Sequence, residues 1–212
     1  MQLVKRYIFL FFGLAVMAFG VAFSIKACLG TSPISSLPYV SSLIVPLSVG
    51  TTTIIMHVAF IAAQIAILRK DFEIIQLMQL PVALFFGIMT DMALVVIAGV
   101  APVGYLQQWV LCAIGIILVG FGVAVEVQAD VVVLAGEGFI LALVKVLNVK
   151  FPRMKVCFDV SLVVISVILS LIFLHSVQGV REGTVAAALL VGPVSKVFCS
   201  IFEKMGIRRR TR

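Results

Sequence analysis

Residues 7–27 read YIFLFFGLAVMAFGVAFSIKA, and residues 115–129 read GIILVGFGVAVEVQA. The first stretch carries one charge, Lys26, and as an α-helix rising 1.5 Å per residue it spans about 30 Å, the thickness of a bilayer's hydrocarbon core. Aligning Gly13 with Gly115, an offset of 102 residues, brings Phe19-Gly20-Val21-Ala22 onto Phe121-Gly122-Val123-Ala124 and Ala27 onto Ala129. The two stretches together decide the class of fold and give it an internal repeat.

Runs of similar length recur at residues 50–68, 76–98, 106–127, 154–174 and 183–203, each bounded by charge, Pro or Gly. The expected fold is therefore an all-α membrane protein with about six transmembrane helices. Composition agrees. Of 212 residues, 63% are hydrophobic and only 12% charged, and the mean hydropathy is +1.27, more apolar surface than a water-soluble domain of this size can bury. Spanning strands would alternate apolar and polar residues, and these runs do not. Lys5 and Arg6 before an apolar run also resemble the start of a secretory signal, but Lys26 beside Ala27 and Cys28 makes a poor cleavage site. The four cysteines (Cys28, Cys112, Cys157, Cys199) have no paired spacing and point to neither a zinc site nor a redox motif.

The net charge of +7 is not a nucleic-acid footprint, because the basic residues sit in short segments between apolar runs. With a cytoplasmic N-terminus, the inner side receives Lys5, Arg6, Arg69, Lys70, Lys145, Lys150, Arg153, Lys155, Lys204 and the Arg208–Arg212 tail, while the outer side receives Lys26 and Arg181. The positive-inside rule thus places both termini in the cytoplasm, with the tail as a topology anchor.

The offset of 102 continues beyond the first span. It carries connection 28–49 onto 128–152 and sets His57 opposite Asp159, while an offset of 105 brings Ala83-Leu84 and Gly87 onto Ala188-Leu189 and Gly192. The chain divides into a first repeat, 1–103, and a second, 104–212, within one integral membrane domain. Three spans per repeat make the two copies inverted, as in many transporters whose site lies between repeats. Each connection holds an apolar stretch too short to span, a candidate re-entrant or interfacial helix. In the first, Ser32 is an expected helix cap and Pro33 the first helical residue.

The stretches FGLAVMAFGVAFSIKACLGTSPISSLPYV, GEGFILAL and QGVREGTVAAALLVGPV resemble the YczE/YyaS/YitT family of bacterial integral membrane proteins over nearly the whole chain. The most specific parts are A-x-L-G-x-S-P at 27–33 and R-E-G-T-x-x-A-A-L-L-V-G-P at 181–193. The resemblance implies an inner-membrane location and the same span count, but no particular substrate or reaction.

Ionisable groups inside spans are costly unless they face protein or water, so each is a functional candidate. They are His57, Asp91, Glu126, Asp159 and Lys196. Asp91 and Lys196 are expected to form an ion pair across the repeats. His57 suits a proton relay or a neutral packing role, Glu126 a snorkelling carboxylate, and Asp159 a partner in the basic cluster beside it. Glu137, between Gly136 and Gly138, opens the second short helix, where a carboxylate could meet a cation or proton. Gly192-Pro193 is expected to break the last span next to Lys196. Gly13, Gly20, Gly115 and Gly122 read as small-residue packing faces.

No catalytic motif is present, and no enzyme, cofactor or metal is expected. The expected function is a secondary transporter or permease for a small solute or ion, with the lipid bilayer and that solute as partners and a homodimer as one arrangement. The alternatives are an assembly or regulatory module without transport, and a channel. Lys26 and Lys196 lean toward an anionic solute and the carboxylates toward a cationic one.

Overall fold

The computed structural model describes residues 2–205, and the Arg208–Arg212 tail lies outside them. The described chain is helical throughout: α1 (Gln2–Lys26), α2 (Pro33–Ile44), α3 (Val49–Leu68), α4 (Gln79–Val96), α5 (Tyr105–Ala129), α6 (Ala135–Leu147), α7 (Phe151–Leu174) and α8 (Glu182–Lys204), with short 3-10 turns at Arg69–Asp71 and Ile74–Met78. Among the described residues, six helical segments are long and apolar enough to cross a membrane, as the sequence led us to expect. In hydrocarbon every backbone N–H and C=O must be satisfied within its own segment, so apolar runs of this length form helices.

The two short helices fall inside the two long connections. Twelve and thirteen residues give about 18–20 Å, too little to span. α2 begins where expected, with Ser32 at the cap position and Pro33 first. The Ser32 side chain does not cap, however. It donates to Ser35 Oγ at 3.0 Å, and the Ser32 carbonyl takes the Ser35 and Ser36 amides, so the first turn closes through its backbone. Gly30, at φ +90°, lets the chain fold back after α1 and lies against Thr184 and the Arg181 amide, where no side chain would fit. The same turn docks on the start of α8: the Gly183 amide donates to Leu29 O at 2.8 Å and Arg181 to Cys28 O at 3.0 Å.

The most extensive helix contact joins α1 to α5. Their glycines do face each other, in reversed order. A methyl group at Gly115 would sit 2.8 Å from Gly20 O, and one at Gly122 would sit 2.8 Å from Gly13 O, so backbones meet at two points along an antiparallel crossing. Close approach of this kind lets helices associate in lipid, where apolar burial supplies no drive.

Starts at 33 and 135, and at 49 and 151, are each 102 residues apart, so the halves carry their elements in the same order and register. Neighbour relations follow suit: α1 packs on α4 as α5 packs on α8, and α2 packs on α7 as α6 packs on α3. One relation has no counterpart. α3 and α4 meet from Gly50 against Gly87 at one end to Gln64 against Gln79 at the other, whereas α7 and α8 barely touch.

Candidate functional site

Beside the gap between α7 and α8 lies a cavity of about 340 Å³, lined by residues of all eight helices. Its charged residues are Glu126 from α5, Glu137 from α6, and Lys155 and Asp159 from α7, and His57 from α3 completes the ionisable set. Much of the wall is apolar, including Met17, Val21, Phe86 and Val119. Phe60, Phe139 and Phe158 form an aromatic cluster with centroids 5.4–5.7 Å apart that ties α3, α6 and α7 together.

Each group is held by local chemistry. Glu126, 2% exposed, sits one turn before the end of α5 and accepts the Leu134 amide at 2.6 Å, so its carboxylate caps the start of α6. It is not the snorkelling side chain expected, because α6 folds back over it. Glu137 stands in the first turn of α6 between two buried glycines. Burial pushes its carboxyl above the ordinary value of 4.5; Lys155 opposes that rise and Asp159 adds to it. Asp159 accepts Lys155 Nζ at 2.9 Å across one turn of α7, the local partner its surroundings suggested. His57, 2% exposed, is wedged edge-on between Phe60 and Phe86, and its Nδ1 has no hydrogen-bond partner.

The expected Asp91–Lys196 pair does not form. Asp91 takes the Ser48 hydroxyl at 2.6 Å and the Gly50 amide at 2.7 Å, binding the end of α4 to the start of α3. Lys196 is exposed on α8, which packs against α5 rather than α4. The expected break at Gly192-Pro193 is absent as well, since α8 runs unbroken through Pro193. A proline removes one donor from a 23-residue helix and leaves the bonds on either side intact. Gly192 does line the cavity, and a methyl group there would meet nothing within 4 Å.

Of the sequence candidates, then, His57, Glu126, Glu137, Asp159 and Gly192 converge on one cavity; Asp91, Pro193 and Lys196 stand apart from it. Sequence reasoning missed Lys155 as a cavity residue, although its spacing of four from Asp159 was the available signal. It also missed the buried Gln64–Gln79 pair, whose amides bond at 3.0 Å while Gln64 also donates to Ala135 O at 3.1 Å, at the start of α6. Among the described residues no group of three or more His, Cys, Asp or Glu could hold a metal ion.

Comparison with known proteins agrees with the resemblance read from the motifs. The chain is 27% identical over 124 residues to the uncharacterized protein YyaS of Bacillus subtilis (strain 168), an alignment covering 58% of this chain and 60% of that relative. The match thus spans about three-fifths of the relative's length. No solved structure matches. Residues 4–200, which include every residue lining the cavity, match the model of a family of unknown function, DUF6198, and the chain belongs to that family.

Proposed function

We propose that the protein is a small secondary transporter of the cytoplasmic membrane, built from two inverted three-span halves with both termini in the cytoplasm. The observation that carries this is the single break in the exchange of halves: α3 and α4 are closed on each other while α7 and α8 stand apart, with the ionisable cavity beside the gap. Inverted repeats that rock about a site between them expose it first to one side and then to the other.

The closed seam has identifiable parts. Asp91 latches it at the Ser48 end, and Gly87 lets α4 approach Gly50 and Ile54. Their repeat counterparts on α8 are Lys196, which is exposed, and Gly192, which meets nothing. Gly192 is a small-residue contact face without its partner. With cytoplasmic termini, the Asp91 latch closes the outer side and the α7–α8 gap opens inward. The alternate state closes α7 on α8 and parts α3 from α4. In this reading the chain is a carrier and performs no covalent chemistry.

The test uses a chain whose four native cysteines are replaced, with single cysteines at Ile54 on the closed seam or at Ser195 in the cavity wall. In sealed vesicles, an impermeant thiol reagent should reach Ser195→Cys from the cytoplasmic side and Ile54→Cys from the outer side, with conditions that speed one slowing the other. Simultaneous access to both from one side would identify a continuous pore and refute the carrier reading.

A further inference from the structure

The cavity's charges do not balance. Glu126, Glu137 and Asp159 face one ammonium, Lys155, which is already committed to Asp159 at 2.9 Å. Removing a carboxylate from water without a counter-charge is expensive, so Glu126 and Glu137 either hold protons or meet a cation that the chain does not supply. The opposite reading, an anion drawn to the start of α6, is met within the chain, because Glu126 itself takes the Leu134 amide there.

A second, independent observation comes from His57. It lines the same cavity, is 98% buried with Phe60 and Phe86 edge-on to its ring, and leaves Nδ1 unpartnered. An orphaned imidazole nitrogen in a ligand-sized cavity is an unused polar contact. The apolar walls do not suit a hydrated inorganic ion, and the acidic groups do not converge as metal ligands. At about 340 Å³ the space lies at the lower end of the roughly 300–1,000 Å³ range of small-molecule sites.

We propose that the cavity binds a protonated amine with an apolar body, its ammonium group held by Glu126 and Glu137 and its apolar part lying against Met17, Val21, Phe86 and Val119. This deepens the transport reading and rests on it for the purpose of the site. Lys155 is then an internal competitor: by occupying Asp159 it keeps a third carboxylate from the ligand.

The experiment is isothermal titration of the purified full-length protein with phenethylamine at neutral pH, beside its neutral analogue 2-phenylethanol and the anionic 3-phenylpropionate. Phenethylamine should bind at least tenfold more tightly than either. Glu137→Gln and Glu126→Gln should each weaken it at least tenfold. Lys155→Met should strengthen it at least threefold, an effect of opposite sign that misfolding cannot mimic. Equal binding of the alcohol, preference for the propionate, or a Lys155→Met protein that binds the amine no better would overturn the proposal. So would phenethylamine binding that Glu126→Gln and Glu137→Gln both leave unchanged. Binding in the expected pattern without uptake into proteoliposomes would leave the amine site standing and overturn transport. Solute uptake indifferent to Glu126 and Glu137 would leave transport standing and overturn the amine site.

Discussion

Removing the Asp91 carboxylate tests the seam directly. Its two oxygens hold the Ser48 hydroxyl at 2.6 Å and the Gly50 amide at 2.7 Å, both at the start of α3, and no other charged side chain joins α3 to α4 there. Hydrogen bonds to a charged group contribute about 1.5–3 kcal/mol each when buried. This end of the seam is partly exposed, and water can replace the partners lost, so about 1–3 kcal/mol for the pair is the reasonable range. Applied to an equilibrium between closed and open seams, that is roughly 5- to 150-fold. Asp91→Ala should therefore raise the thiol-labelling rate at Ile54→Cys from the outer side by a factor in that range and lower it at Ser195→Cys. Asp91→Asn, which keeps one acceptor, should fall between. An Asp91→Ala protein of normal folding whose labelling rates at both positions match the parent would refute the latch.

Two further outcomes follow from buried polar groups. Because Glu137 has its carboxyl pushed up by burial, it binds its proton more tightly in the folded chain than in the unfolded one. The stability this supplies is fully present below its ordinary value of 4.5 and is lost as pH rises through the raised folded value. Thermal unfolding in detergent should accordingly move to higher temperature as the pH falls from neutral toward 4.5, and Glu137→Gln should flatten that dependence; a slope unchanged in the variant would refute it. Gln64→Leu should cost about 1–3 kcal/mol by stranding the Gln79 amide, whereas Gln64→Leu with Gln79→Leu should cost less than the sum of the single changes, and additive unfolding free energies would count against the pair.

The sequence made some of this legible and hid the rest for physical reasons. Spans were readable because the bilayer imposes a length on every crossing segment, and the short helices because Pro, Gly and Ser bound them. The α1–α5 crossing was visible in Gly13, Gly20, Gly115 and Gly122, since closely approaching backbones demand small residues at regular spacing. Glu126, Glu137, Asp159 and His57 stood out because each violates the apolar rule of its surroundings. Which of them meet could not be read from spacing. Asp91 and Lys196 are near-equivalent in the repeat, yet equivalence under exchange of halves places two residues at corresponding sites, not in contact. The Gln64–Gln79 pair escaped notice because an uncharged amide in an apolar run carries no signal of its partner. The gap between α7 and α8 arises from how each packs on other helices, and no residue in either announces it.

α8 is anchored almost entirely through α5 and barely touches α7. Between Glu182 and Glu203 it carries only one charge, Lys196, over a stretch of about 30 Å at 1.5 Å per residue, matched to a typical hydrocarbon thickness. In the rocking proposed above, a swing of α8 toward α7 changes its tilt against the bilayer. Mismatch between a helix and its bilayer costs fractions of a kcal/mol per ångström, so a membrane a few ångströms thicker or thinner weighs on that swing by an amount comparable with the Asp91 hydrogen bonds. On the transport reading, membrane thickness and acyl-chain length would act on the protein with no binding site of their own.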